Sequence, residues 1–145
     1  MKKTLITLVA VVMMVLLTGC EAKEEVLTCT LKQEQTGMVM NQEIEATFIN
    51  NEVTDMTMDI DVNLDDTYVP YIDTMKTTFE EQFKTYSDNG AKVEVTSEGN
   101  VVEIDIDFDL KNMSLEQKKN LDMLDVYGTK AATQEELEKQ GYTCR

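Results

Sequence analysis

The sequence predicts an α+β domain: an antiparallel sheet of about five strands, with one long helix and short C-terminal helices on one face. Three observations carry that expectation. Apolar and polar residues alternate with period two in several segments. One segment between the third and fourth of these places its apolar residues at helical spacing. The elements also come in runs, three strands, a helix, two strands and then short helices, which is the order of helices gathered on one face of an antiparallel sheet.

Leu27, Cys29 and Leu31 mark the first strand, and Met38, Met40, Ile44, Ala46 and Phe48 the second. Thr36-Gly37 as a two-residue turn pairs Leu31 with Gln42 and Cys29 with Ile44, so inward positions meet inward positions. In the third strand Met56, Met58, Ile60, Val62 and Leu64 alternate with Asp55, Thr57, Asp59, Asp61 and Asn63. Parity predicts a three-residue loop, Asn50-Asn51-Glu52, before it, setting Phe48 against Thr54 and Ile44 against Met58. Tyr68, Ile72, Met75, Phe79, Phe83 and Tyr86 form a single helical stripe, with Asp65, Asp66 and Thr67 as expected caps and Pro70 in the first turn. Asn89-Gly90 stops it. Ala91, Val93 and Val95 then make a short strand. Gly99-Asn100 turns it into Val102, Ile104, Ile106, Phe108 and Leu110, pairing Glu94 with Asp105 and Lys92 with Asp107. Ser114 with Gln117 and Thr133 with Glu136 fit capping boxes for two short helices, the second running from Thr133 to Gln140. Residues 121–129 read as irregular.

Ahead of the domain, Lys2 and Lys3 precede an apolar run from Thr4 to Leu17. That run is shorter than the roughly 20 residues of a comfortable membrane span, so it reads as an export signal. It ends in Leu17-Thr18-Gly19-Cys20, which resembles the lipobox of bacterial lipoproteins. The resemblance implies diacylglycerol on the Cys20 sulfur and cleavage before it. The domain organisation is then signal peptide 1–19, lipidated cysteine and charged tether 20–25, and a single domain 26–145. Two acyl chains hold a protein durably where one is marginal. The expected location is the extracytoplasmic face of a bacterial cell membrane, and Cys20 is the expected contact with it.

Removal of residues 1–19 leaves 126 residues and, with two lysines gone, 11 basic against 28 acidic side chains, a net charge of −17. Such a surface repels phosphate backbones, so no nucleic-acid partner is expected. The chain has no histidine, which removes the usual general base and the commonest zinc ligand. No nucleophile motif and no phosphate-binding loop occurs, and no cofactor is expected. If Cys20 carries lipid, Cys29 and Cys144 remain, and an even remainder in an oxidising compartment points to one disulfide. The other reading is two unpaired, partly buried thiols.

The outer sheet face should gather Glu43, Asp59, Asp61, Glu103, Asp105 and Asp107. Asp59, Asp105 and Asp107 are weak candidates for a Ca²⁺ or Mg²⁺ surface. A solvated acidic face is the better reading, because flat strands spread carboxylates instead of wrapping a cation. Glycosidase chemistry by paired carboxylates lacks a tryptophan platform. Met38, Met40, Met56 and Met58 raise Cu(I) ligation, but they point inward, where methionine fills a core.

The lipobox, "LTCTL" opening the domain, the hairpin "ATFINNEVTDMTM", the long amphipathic helix and the closing "LEKQGYTCR" resemble the YehR-like family of small bacterial lipoproteins. The resemblance covers essentially the whole chain and implies fold and location, without an activity or site residues. The expected role is a non-enzymatic binding or interaction module for a protein or apolar partner. The alternative is a carrier of a lipid or small apolar ligand held between sheet and helix, and an enzyme is disfavoured.

Overall fold

The computed structural model describes residues 22–121 and 128–145. The signal segment, Cys20 and most of the 121–129 stretch lie outside them. Strands β1 (Glu24–Gln35), β2 (Met38–Ile49), β3 (Glu52–Leu64), β4 (Lys92–Glu98), β5 (Val101–Phe108) and β6 (Thr143–Cys144) form one antiparallel sheet in the order β4-β5-β3-β2-β1-β6. A 3₁₀ turn (Val69–Tyr71) leads into α1 (Ile72–Gln82), α2 (Lys84–Asp88) follows, and α3 (Leu115–Asn120) and α4 (Lys130–Lys139) come after the last long strand. The fold is α+β, as the order of elements implies. Helix α1 leans on β4 and β5, and α4 leans on β1 and β6.

Alternation decides which side of the sheet is dry. Leu27, Ile44, Phe48, Met56, Val62, Ile104, Ile106 and Phe108 are almost wholly buried, and all project to the helix side. At roughly 1.5–3 kcal/mol per fully buried large aliphatic or aromatic side chain, this row is the main source of stability. It also fixes register, because a one-residue slip would turn it to water.

The first hairpin has the expected two-residue turn at Thr36-Gly37, and Leu31 pairs with Gln42 and Cys29 with Ile44. The second departs from expectation. Ile49 pairs with Glu52 across a two-residue Asn50-Asn51 turn, both asparagines taking positive φ (52° and 69°). That pair of conformations matches the twist of the flanking strands. Phe48 therefore faces Val53, not Thr54, and a bulge then absorbs one residue so that Thr47 faces Asp55. The extra residue, Thr54, donates its hydroxyl to the Thr47 carbonyl at 3.3 Å, and its own backbone carbonyl accepts from the Lys111 N–H at 2.9 Å. Beyond the bulge the inward rows agree again, Ile44 against Met58. Parity required one odd residue, and the chain spends it in the strand instead of the loop.

The expected long helix is broken at Phe83, between α1 and α2. The break keeps Phe79, Phe83 and Tyr86 on one face, with ring centroids 6.4 and 5.7 Å apart, and lets Tyr86 meet Phe108 edge-on at 5.7 Å. Among the described residues no side chain caps its start: Tyr68 and Tyr71 occupy the cap positions, and Asp65, Asp66 and Thr67 do not. Pro70 does sit in the first turn. Ser114 and Gln117 form the full capping box. The last helix begins earlier than expected, at Lys130, with Thr129 as its cap. Thr133 is instead fully buried, its hydroxyl donating to the Thr129 carbonyl at 2.9 Å.

Strand β6 was not expected from the pattern. It brings Cys144 opposite Cys29, and the two are bonded, with Cα atoms 4.1 Å apart. The flanking pair, Thr28 and Arg145, exchanges both backbone hydrogen bonds. The cysteines thus occupy a non-hydrogen-bonded position, where facing Cα atoms approach most closely.

Candidate functional site

The two faces of the sheet offer different chemistry. On the outer face the register lines up Glu43, Asp59, Asp105 and Glu94 across four adjacent strands. Asp107 lies beside this row, opposite Thr57, and forms a loose 3.6 Å ion pair with Lys92. Partial burial first, and then the charges of Asp105, Glu43, Asp107 and Asp61, hold the Asp59 carboxyl above its ordinary value. Asp59, Asp105 and Asp107 are thus neighbours, as the alternation implies. They stand along extended strands, and among the described residues no three acidic or cysteine side chains converge as a metal cage would require. A shallow hollow of about 530 Å³ opens over the outer face at Thr30, Lys32, Asn41, Glu43, Asp59 and Asp61. Its carboxylates favour water over a desolvating partner.

The helix side is apolar, but unevenly closed. Because α1 leans towards one edge of the sheet and α4 towards the other, three of the four methionines of β2 and β3, Met38, Met40 and Met58, are only half-buried. Gln42 lies in the same inward row between Met40 and Ile44. Its side-chain carbonyl accepts from the Tyr142 hydroxyl at 2.6 Å, and its amide donates to the Met40 sulfur at 2.9 Å. Burial raises the Tyr142 pKa. This polar bridge pins the C-terminal segment across the sheet. Sequence alternation passed over Gln42, because a glutamine in an apolar row reads as an interruption.

At the end of the sheet that carries the Thr36-Gly37 turn, a cleft of about 340 Å³ opens between the first hairpin and the start of α1. Its walls are Thr36, Gly37, Met38, Leu64, Tyr68, Tyr71 and Met75. Local bonds hold this end together. The Asp65 N–H donates to the Gly37 carbonyl at 2.9 Å, the Leu64 N–H to the Asn100 carbonyl at 2.8 Å, and the Asn100 side-chain amide to the Leu64 carbonyl at 2.9 Å. Two hairpin turns are thereby stapled to the end of β3. The tyrosines stand at the mouth, Tyr68 41% and Tyr71 61% exposed, although large apolar rings are usually drawn inside. The sequence shows Tyr68 and Met75 as members of the core stripe. Only the geometry shows that the stripe runs past the covered part of the sheet.

The fold has relatives among solved structures. The NMR structure of the YehR protein of Escherichia coli superposes with a TM-score of 0.62 at 12% identity, covering 86% of this chain and 92% of that one. The NMR structure of a protein from Streptococcus pneumoniae TIGR4 gives 0.56 at 14% identity, covering 86% and 87%. At such identities the likeness is one of fold, and the fold is YehR-like. No protein-family model and no curated protein matches the chain.

Proposed function

We propose that this protein is a lipid-anchored, extracytoplasmic lipoprotein and a non-enzymatic binding module whose binding site is the apolar cleft at the Gly37 end of the sheet. The observation that carries the reading is the position of the cleft relative to the tether. Strand β1 starts at Glu24, four residues after Cys20. It runs to Gln35, beside the cleft. Twelve residues at about 3.4 Å each separate the two ends by roughly 35–40 Å. A lipid on Cys20 would hold the start of β1 within about 15 Å of the bilayer surface. The cleft would then open towards the medium, and the acidic outer face would keep the domain soluble beside anionic headgroups.

The apolar lining also favours a carrier of a small apolar ligand, the second reading. Retention of ligand through gel filtration distinguishes carriage from transient recognition. The primary test is binding of an apolar fluorescent probe, N-phenyl-1-naphthylamine, to the wild-type domain and to Met75→Trp, which fills the cleft from the helix. Enhanced emission that is lost in the variant supports the cleft as the site. Equal emission from both proteins, or none from the wild type, removes it.

A further inference from the structure

Resting on the reading of the cleft as a binding site, we infer that its ligand is a small organic ammonium ion carrying an apolar group. Apart from Thr36 at the turn, the cleft wall is thioether, aliphatic and aromatic, which suits an apolar group. The mouth is of another character. Two exposed tyrosine rings stand there, and the negative face of such a ring attracts an ammonium ion placed within about 6 Å. Among the described residues no lysine or arginine lines the cleft.

Charge in the segments that adjoin the cleft points the same way. Asp65 is tied by its backbone to Gly37 in the cleft wall. Asp66 follows it, and Asp73 lies in the first turn of α1, between the lining residues Tyr71 and Met75. All three side chains are exposed, and none takes part in an ion pair among the described residues. The other acidic face differs, since there the carboxylates border a polar hollow with no aromatic ring among its described lining residues. An anionic ligand would approach past the exposed carboxylates of Asp65, Asp66 and Asp73 and find no lysine or arginine among the described lining residues. A neutral one would fill the cleft without using the carboxylates. A cation with an apolar arm uses the apolar wall, the exposed rings and the field of the nearby carboxylates.

The experiment is a titration of the full mature domain followed by NMR of the methionine methyl groups. Benzyltrimethylammonium is the cationic probe, benzenesulfonate the anionic one and benzyl alcohol the neutral one. The expected result is that the cation shifts the Met38 and Met75 signals, that the sulfonate does not, and that benzyl alcohol binds more weakly than the cation. Asp65→Asn/Asp66→Asn/Asp73→Asn, which alters exposed side chains only, should weaken the cation about two- to fivefold, as should Tyr71→Leu. Added salt should weaken it in the wild type more than in the triple variant. Equal binding of cation, alcohol and sulfonate, or unchanged cation affinity in the triple variant, overturns the ammonium assignment and leaves an apolar cleft. Silence of both methyl signals towards every probe overturns the cleft itself.

Discussion

The ring of Tyr68 lies directly over Gly37, so that a Cβ built on the glycine would come within 2.0 Å of the tyrosine Cε2. Gly37 also has a φ of +82°. Two separate constraints therefore require glycine at one turn. One is backbone strain, and the other is the ring that forms part of the cleft wall.

Gly37→Ala should consequently cost on the order of 1–3 kcal/mol, from a side chain forced to positive φ and from displacement of Tyr68. The ring is partly exposed and can swing away, so the two parts are separable. In a Tyr68→Ala background the same substitution should cost less, because only the backbone strain remains. Chemical denaturation of the four proteins of this cycle measures the difference. An identical cost in both backgrounds would show that the ring does not press on the turn.

The Cys29–Cys144 bridge closes a sequence separation of 115 residues. The chain-entropy model assigns about 4–5 kcal/mol to such a loop, and measured values usually fall lower. Cys29→Ala/Cys144→Ala should lower the melting temperature by many degrees. The Thr28–Arg145 backbone bonds would then be held only by local contacts, so amide exchange should quicken first at Arg145 and along the adjacent edge of β1. Exchange that quickens uniformly would mean that the bridge stabilises the domain without organising this edge.

Placement has its own test. Cys20→Ala should release the protein from the membrane fraction or leave an unprocessed precursor, since the thiol would carry the lipid. A variant processed and retained like the wild type would remove the lipobox reading, while leaving the cleft untouched.

What could be read in advance was whatever the two-residue period controls. Facing pairs such as Glu43 with Asp59, Glu94 with Asp105 and Lys92 with Asp107 follow from alternation and stand in the structure. Where one odd residue had to be absorbed, parity could count it but not place it. Thr54 takes it as a bulge because Asn50 and Asn51 both tolerate positive φ and close the tighter turn. Strand β6 is only two residues long, too short for any period. Thr133 resembles a cap by residue type, yet lies inside the helix, where its hydroxyl is satisfied by the preceding turn. The cleft was invisible for a related reason. Tyr68 and Met75 carry the same helical spacing as the covered residues, and spacing says nothing of where the sheet beneath them ends.

The acidic face supplies the last prediction. Asp59 stands in register with Glu43 on one side and Asp105 on the other, and its pKa is raised in the folded protein by partial burial and by these neighbours. The folded state therefore holds this proton more tightly than the unfolded state does. The contribution of this group to stability is complete below its ordinary carboxylate pKa of 3.8 and is lost as pH rises through the elevated folded value. At neutral pH the ionised Asp59 carboxylate opposes folding. Asp59→Asn/Asp105→Asn/Asp107→Asn should accordingly be more stable than the wild type at pH 7, by about 0.2–1 kcal/mol per relieved cross-strand pair, and less so in high salt. The gain should shrink as the medium is acidified, because Asp59 of the wild type then takes up its proton. Probe binding at the cleft, on the other side of the sheet, should not change. Thermal melts at pH 4 and pH 7, with and without millimolar Ca²⁺, decide the matter. If Ca²⁺ raises the wild-type melting temperature by several degrees and leaves the variant unmoved, the row Glu43–Asp59–Asp105 is a cation site, not a solvated face.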